Sequence, residues 1–391
     1  MAADLGLARD GADARRAAGP GPGGASGSSS TGPGSLPTAG SALIRRLLTA
    51  FACVVMTWVG AFALAEGSMP AKPGVAVPMQ QYLGRVFEAL VARNTPRALI
   101  LASIIRDKLG GDFAANAPSQ AELALLAMQR APADAVVQWH VAMELGEVTL
   151  LAVEQPLPPG VTDAATRLLD IDPDNGVSWL VPLAVAARSK NAGDITGMLE
   201  KIASAKRFED YSVDLVFEWL PVLRAEPFPR QALPAAAVSD EAIALIAAEA
   251  LMWSPRRNLR QNLLDACPPD IQSLSRRRRE ACLSVGRLLY GKANTLANRR
   301  VGIELLRVAG TDDTEYLTAR RQLDWLDIQG AKALDAVVDD LAGFERFEAD
   351  LRDTHSEFEA VRRLLARRGI APAPPDDWQA GHQARMHGIG D

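Results

Sequence analysis

From residue 80 to residue 370, apolar side chains recur every three or four positions. This is the period of a helix that buries one face. The first segment shows this spacing at Tyr82, Val86 and Leu90, and the segments that follow have the same spacing. No stretch alternates apolar and polar residues in the way that a half-buried strand does. The pattern therefore predicts an all-α fold.

Signals for helix ends divide this pattern into separate elements. Pro96 suits the first turn of a helix, and Gly110 with Gly111 suits the end of one. Ser119 is followed three residues later by Glu122, which is the spacing of a capping box. These signals predict helices that begin near residues 96 and 119.

The amino-acid composition agrees with a helical body. Hydrophobic residues make up 48% of the 391 residues, but aromatic residues make up only 5%. The apolar set is mainly alanine and leucine, which favour helices, whereas strands favour β-branched and aromatic residues. The formal net charge of −5 is mildly acidic. Nucleic-acid binding requires a basic surface, so we expect no nucleic-acid partner.

The amino-terminal 42 residues differ in composition from the rest of the chain. Residues 17–42 consist mostly of glycine, serine and proline. Such a segment cannot bury enough apolar surface to offset the entropy of the chain. We therefore predict a disordered leader over residues 1–42. The alternative is that translation begins downstream and that the leader is never made.

One apolar segment, residues 43–65, follows the leader. Its residues 47–65 carry no charge over 19 positions, close to the roughly 20 residues that a transmembrane helix requires. Arg45 and Arg46 precede this run, and flanking positive charges stay on the cytoplasmic side. The body that follows is therefore predicted to lie on the far side of a bacterial inner membrane, in the periplasm.

The end of the apolar segment matches a signal-peptidase site. Ala63 and Ala65 are small residues at the third and first positions before Glu66. Two outcomes follow. Cleavage after Ala65 releases the body, whereas retention tethers it to the inner membrane through residues 47–65, with the amino terminus in the cytoplasm. Residues 66–79, which include several prolines, are predicted to form a linker.

Three tryptophans, Trp139, Trp179 and Trp219, follow one another at intervals of 40 residues. Each lies in a predicted helix, and each is followed by a second helix. These second helices are predicted at about residues 162–171, 194–205 and 239–252. The interval therefore predicts a repeated pair of helices.

The repeats are predicted to span residues 80–255 and to continue as helical repeats over residues 256–370. Gly369 and the prolines after it end the last helix. Residues 371–391 are accordingly predicted to form a flexible tail.

The sequence around Trp179 resembles the tetratricopeptide-repeat (TPR) family. Residues 172–176 read Asp-Pro-Asp-Asn-Gly before it, and Leu183, Ile195 and Leu199 follow it. In that family a proline closes one repeat and an aromatic residue starts the first helix of the next. The resemblance implies a TPR-like α-solenoid of antiparallel helix pairs, whose tryptophans are core residues and whose extended face binds protein.

Some positions depart from the pattern of that family. The interval is 40 residues, whereas the family repeats about every 34. Pro182 also stands where a helical residue is expected. The alternative interpretation is an irregular helical bundle in which the tryptophan spacing is coincidental.

Cys267 and Cys282 are the two cysteines that follow the apolar segment. Cys267 ends one predicted helix and Cys282 begins another, and neighbouring helices bring such residues within bridging distance. Because export exposes the body to an oxidising compartment, we predict a disulfide between them. The alternative is two separate buried thiols. No histidine or further cysteine stands nearby at ligand spacing, so we expect no metal site.

Two histidines each precede a glutamate by four residues on predicted helices: His140 with Glu144, and His355 with Glu359. Without further ligands, such pairs are typical of helix surfaces. The sequence contains neither the turn that exposes a nucleophilic serine nor a glycine-rich phosphate loop. We therefore expect no catalytic residue and no cofactor.

Four consecutive arginines occupy residues 276–279. In an exported protein, this run is predicted to be the solvated start of a helix. The alternative is contact with anionic lipid headgroups or with an acidic partner.

These patterns together predict a non-enzymatic scaffold or protein–protein interaction module of the bacterial cell envelope, with a protein partner that the sequence does not identify. The alternative is an envelope enzyme, acting for example on peptidoglycan, that carries no recognisable catalytic motif.

Overall fold

All regular secondary structure is helical in the part of the chain that a computed structural model describes. That part comprises residues 73–109, 117–151, 157–189, 191–229, 243–244, 247–248, 257–268, 270, 273–338 and 340–378. Two isolated β-bridges join Asn175 to Arg207 and Phe208 to Ala293, and these residues form no extended strand. The predicted all-α fold is confirmed for these residues.

The helices of the described residues fall into two runs along the chain. The first run consists of α1 Pro73–Arg93, α2 Pro96–Lys108, α3 Gln120–Arg130, α4 Ala135–Leu151, α5 Pro159–Ile171, a 3-10 helix Gly176–Trp179, α6 Leu180–Arg188, α7 Ala192–Ala203 and α8 Ser212–Ala225. The second run consists of α9 Arg257–Ala266, α10 Arg276–Lys292, α11 Leu296–Val308, α12 Asp313–Val338, α13 Leu341–Thr354 and α14 Glu357–Arg367.

Side chains at the helix starts explain several of these boundaries. The hydroxyl of Ser119 accepts a hydrogen bond from the backbone of Glu122, and the Glu122 carboxylate accepts one from the backbone of Ser119. The backbone N–H and the hydroxyl of Ser119, which both donate to the Glu122 carboxylate, lower the pKa of Glu122. The reciprocal bonds confirm the predicted capping box. Thr95 caps α2 in a similar way, with Pro96 in the first turn.

Most helices pack against the helices that precede and follow them. The helices α1 to α5 pack in sequence order, and α6 packs on α7. The helix α7 then packs on α10, which begins a second ordered series through α11 and α12 to α14. The closest contact is between α10 and α11, where Gly286 and Gly302 face each other across the two backbones.

The helix α8 departs from this nearest-neighbour order, because it contacts α1, α2 and α13. The Tyr82 hydroxyl of α1 donates to the carbonyl of Leu223 at 3.5 Å. On the other side, the Arg224 guanidinium donates to the Glu348 carboxylate of α13 at 2.6 Å. Helices from both ends of the described body therefore meet at α8.

The predicted linker over residues 66–79 is wrong from Pro73 onward, since α1 begins there. Proline is favoured in a first helical turn because the backbone N–H that it lacks would have no helical partner. Pro78 lies inside the same helix, where it removes one backbone hydrogen bond without ending the helix. The prolines therefore indicated a linker at positions where the chain in fact starts a helix.

The predicted leader and apolar segment lie outside the described residues, as do Ala63, Ala65 and Glu66. Among the residues that are described, no helix combines the length and the hydrophobicity needed to cross a bilayer.

The predicted flexible tail, residues 371–391, is wrong for its first part. Residues 371–378 lie against α12, and the Trp378 side chain is buried. Its ring packs edge-to-face on Trp325, with 5.4 Å between ring centroids. A single large aromatic side chain anchors a segment that its prolines and aspartates indicated to be loose. Residues 379–391 lie outside the described part.

Candidate functional site

The predicted disulfide is present in the structure. Cys267 directly follows α9, and its sulfur lies 2.00 Å from that of Cys282 in α10. Both residues are buried, at 1% and 0% exposure. The bridge joins the end of α9 to the second turn of α10. Cys282 therefore lies inside its helix, and not at the helix start that the sequence indicated.

The arginine run lies at the start of α10 and makes intramolecular contacts. Arg276 donates to Glu280 at 2.7 Å, and Arg277 donates to both carboxylate oxygens of Glu200 at 2.5 and 2.6 Å. Arg278 donates twice to the carbonyl of Ala266, beside the disulfide, and burial lowers its pKa. The run therefore ties α10 to α7 and to the end of α9.

The three regularly spaced tryptophans occupy different positions in their elements. Trp139 and Trp219 are buried in α4 and α8, with 2% and 0% exposure. Trp179 ends the 3-10 helix and is only partly buried, and its indole N–H donates to the carbonyl of Pro173 at 3.0 Å. The interval of 40 residues thus does not place the three side chains at equivalent helix positions.

The two histidine–glutamate pairs lie in different surroundings. His140 is buried in α4, and the side chain of Glu144 lies outside the described part. The sequence indicated that His355 lies on a helix. Instead, His355 ends α13 in a left-handed conformation with φ of 48°. Its ring lies 2.9 Å from Asp214 of α8. The described residues contain no cluster suited to a metal ion.

Within the described residues, several buried polar side chains gather at a junction of four turns, at residues 172–176, 205–211, 293–295 and 355–356. Each turn connects two of the helices or leads into one, and buried Asp and Asn side chains join the turns to one another. We refer to this region as the turn junction.

Asn175 joins the first two turns. Its amide nitrogen donates to the carbonyl of Glu209 at 2.9 Å, and its amide oxygen accepts from the backbone of Glu209 at 3.0 Å. Backbone bonds add to this contact, since Gly176 donates to the carbonyl of Arg207 at 2.9 Å. A side chain at residue 176 would lie 2.7 Å from the ring of Phe208, so this close approach requires glycine.

Asp172 accepts hydrogen bonds from its own turn and from the second turn. Its carboxylate accepts one from Arg207 at 2.6 Å, one from Asn175 at 3.1 Å and a short one from the hydroxyl of Tyr211. Burial and the bond to Asp172 raise the pKa of Tyr211. Tyr211 therefore keeps its proton at neutral pH and acts as a donor, not as a base. Its φ of 54° is left-handed and strained for a non-glycine residue.

Asn294 joins the second, third and fourth turns. Its backbone N–H donates to the carbonyl of Phe208 at 3.2 Å, and its side-chain oxygen accepts from the backbone of Asp210 at 3.4 Å. Its side-chain nitrogen donates to the carbonyl of His355 at 3.2 Å. The carbonyl of Asn294 accepts from Ser356 at 3.0 Å. One residue thereby connects segments that are far apart in sequence.

A small cavity of about 20 Å³ lies beside the turn junction. Its wall is mainly apolar and includes Trp139 and Leu263, with Asp210 and Asn298 as the polar members. The amide of Asn298 donates to the Asp210 carboxylate at 3.0 Å. This volume has room for a water molecule, but not for a substrate of ordinary size.

The turn junction is built to hold helices together. Its carboxylates accept hydrogen bonds from neighbouring side chains and backbone groups, and its tyrosine is a donor. The sequence pattern at residues 172–176 indicated a repeat boundary but not this junction. A signal was present in the Asp and Asn residues that precede helix starts, but those residues also serve as purely local caps.

Comparison with known proteins identifies no relative: no protein-family model, no curated protein and no solved structure matches this chain.

Proposed function

We propose that the chain is a non-enzymatic scaffold or protein–protein interaction module of the bacterial cell envelope, built as a TPR-like α-solenoid. The observation that carries this proposal is the ordered packing of successive helices from α1 to α5 and from α10 to α12. Arrays of this kind expose long surfaces to which protein partners bind. The buried polar side chains of the turn junction support the same function, because they are used to position helices.

The envelope location is supported by the buried disulfide between Cys267 and Cys282. Disulfides persist in the periplasm and are rare in the cytosol. In this proposal residues 47–65 direct export, and the body is then either released by cleavage after Ala65 or held at the inner membrane.

Two measurements on protein from cells test the location. Amino-terminal sequencing of the mature chain should begin at Glu66 if the signal is cleaved, and should find the leader intact if it is an anchor. Alkylation of the denatured protein without reductant should leave Cys267 and Cys282 unmodified. Two reactive thiols at these positions would contradict maturation in the periplasm.

Cross-linking in intact cells followed by mass spectrometry tests the function. A scaffold should give reproducible cross-links to one defined envelope protein, formed through exposed lysines such as Lys201 and Lys206. Variants with arginine at the cross-linked lysines serve as the control and should lose these products. Absence of a defined partner, together with hydrolysis of peptidoglycan by the purified chain, would instead support the alternative of an envelope enzyme.

A further inference from the structure

Residues 371–378, which we call the C-terminal strap, lie along α12 and are held mainly through their backbone. The indole N–H of Trp325 donates to the carbonyl of Ala371 at 2.8 Å. The guanidinium of Arg321 donates to the carbonyl of Trp378 at 3.1 Å and makes a second, short bond to that of Pro375. These bonds do not depend on the side chains of the residues that supply the carbonyls.

Arg321 and Trp325 are four residues apart on α12, so they lie on the same face of the helix. Trp325 is 9% exposed, and the edge of the Trp378 ring packs against it with the two ring planes 80° apart. The face thus combines donors for carbonyl groups with an aromatic surface for one aromatic side chain.

The composition of the strap suits this kind of recognition. Pro372, Pro374 and Pro375 lack a backbone N–H, so the strap cannot form a helix and offers its carbonyls to other donors. Proline-containing segments lose little conformational entropy when they bind, and proteins commonly bind them in grooves lined with aromatic side chains.

The fit of the strap to this face is incomplete. The indole nitrogen of Trp378 is buried, and it has no hydrogen-bond partner among the described residues. A buried donor without an acceptor weakens the contact that buries it. A segment with phenylalanine at this position would bury a similar ring without that cost.

We propose that the Arg321–Trp325 face of α12 is a docking site for a proline-containing segment of a partner protein that ends in an aromatic residue. The C-terminal strap occupies this site intramolecularly, and the partner segment displaces it. The inference rests on the proposed function as an interaction module, since it names the class of segment that such a module binds.

The test uses the full chain with Trp378→Ala, which removes the aromatic anchor of the strap. The probes are fluorescein-labelled peptides with the sequence of residues 370–378, one with the natural tryptophan and one with phenylalanine in its place. Fluorescence anisotropy should show saturable binding to Trp378→Ala at least tenfold tighter than to the wild type. The phenylalanine peptide should bind at least as tightly as the tryptophan peptide.

Two further substitutions in the Trp378→Ala chain locate the binding site. Arg321→Ala should weaken binding of both peptides at least tenfold, because it removes the donor to two carbonyls. The matched control Arg320→Ala changes the neighbouring exposed arginine of α12 and should leave binding unchanged. Three outcomes would each overturn the proposal. The peptides could bind equally to the wild type and to Trp378→Ala, they could fail to bind to Trp378→Ala, or they could bind equally with and without Arg321.

Circular dichroism establishes whether Trp378→Ala remains folded. If it does not, a protease site inserted after the exposed Gly369 opens the same face by cleavage of an otherwise native chain. The same outcomes then apply to the cleaved protein. A negative result with the peptides leaves the envelope scaffold proposal intact, because cross-linking in cells tests that proposal independently.

Discussion

At the scale of single residues, two asparagines make several of the long-range polar contacts of the turn junction. Asn294 connects its own turn to two others, and Asn175 connects two turns through both atoms of its amide. An asparagine amide can donate and accept at once, which an aspartate or an alanine cannot do at neutral pH. These residues therefore contribute more to the fold than their size indicates.

Asn294→Ala should lower the free energy of unfolding by about 3 kcal/mol. It leaves the buried backbone N–H of Asp210 and the carbonyl of His355 without their partner, at about 1–3 kcal/mol each. Urea denaturation measures the change. Asn191 is the control, because its side chain also accepts two bonds, but at an exposed helix start. Asn191→Ala should lower the free energy of unfolding by about 1 kcal/mol. If Asn191→Ala lowers it as much as Asn294→Ala or more, the role of the turn junction is contradicted.

Gly302→Ala should destabilise the protein by about 2–3 kcal/mol or more. The added methyl group would lie 2.5 Å from the backbone nitrogen of Tyr290 and 2.8 Å from the carbonyl oxygen of Gly286. Neither backbone atom can move without separating α10 from α11, and overpacking of this kind costs about 1–3 kcal/mol or more. Thermal melts should show a clear loss. Gly291→Ala, where the added group meets open space, should leave the melting temperature unchanged or raise it.

At the scale of elements, local signals in the sequence predicted the starts of α2 and α3 correctly. Caps and prolines act through bonds within four residues, so Ser119 and Pro96 could be interpreted from their neighbours alone. Two expectations that rested on composition failed at Pro73, which begins a helix, and at Trp378, which anchors a segment of proline and aspartate. In both cases one residue outweighed a composition typical of loops.

The partners of the turn junction were not predictable in the same way. Asp172 and Tyr211 are 39 residues apart, and Asp210 and Asn298 are 88 residues apart. Nothing near either member of such a pair identifies the other. The disulfide was predictable, unlike these other contacts. Only two cysteines follow the apolar segment, so each has a single possible partner there.

The contact of α10 with α12 should weaken in acid. Hydrogen bonds from Arg287 and Thr311 lower the pKa of Glu315 to about 2. A carboxyl group with a lowered pKa in the folded state stabilises the fold above its ordinary pKa, and this stabilisation is lost as pH falls towards the folded pKa. The loss should therefore occur between about pH 4.5 and pH 2.

A double-mutant cycle with Arg287→Ala and Glu315→Gln measures this effect. Both side chains are partly exposed, so the coupling energy at pH 6 should be less than about 1 kcal/mol. It should approach zero at pH 2. A coupling energy that is the same at both pH values would show that the charge of Glu315 is not responsible.

At the scale of the whole molecule, α8 sets this body apart from a purely linear array. In a linear array each unit contacts only its neighbours, and its stability is a sum of local terms. Here α8 contacts α2 on one side and α13 on the other. We therefore expect the described body to unfold as one cooperative unit.

Trp219→Leu tests this expectation, since Trp219 is a fully buried side chain of α8. The substitution should lower hydrogen-exchange protection by a similar amount, about 2 kcal/mol, in α2 and in α13. Leu323→Ala is a second probe, because Leu323 belongs to a separate small cluster with Ile303, Leu306 and Ala319. In one cooperative unit this substitution should also lower the protection of α2. Protection of α13 that is unchanged by Trp219→Leu would indicate independent local units.

The turn junction also limits when folding can finish during synthesis. A nascent chain emerges from the ribosome with its amino terminus first, and Asp172, Asn175 and Tyr211 can pair with one another as soon as residue 211 has emerged. Asp210 and the carbonyl of Phe208 must wait for Asn294, and Asn294 in turn waits for residues 355–358. The last pairings of this buried network therefore form only after residues 355–358 have emerged.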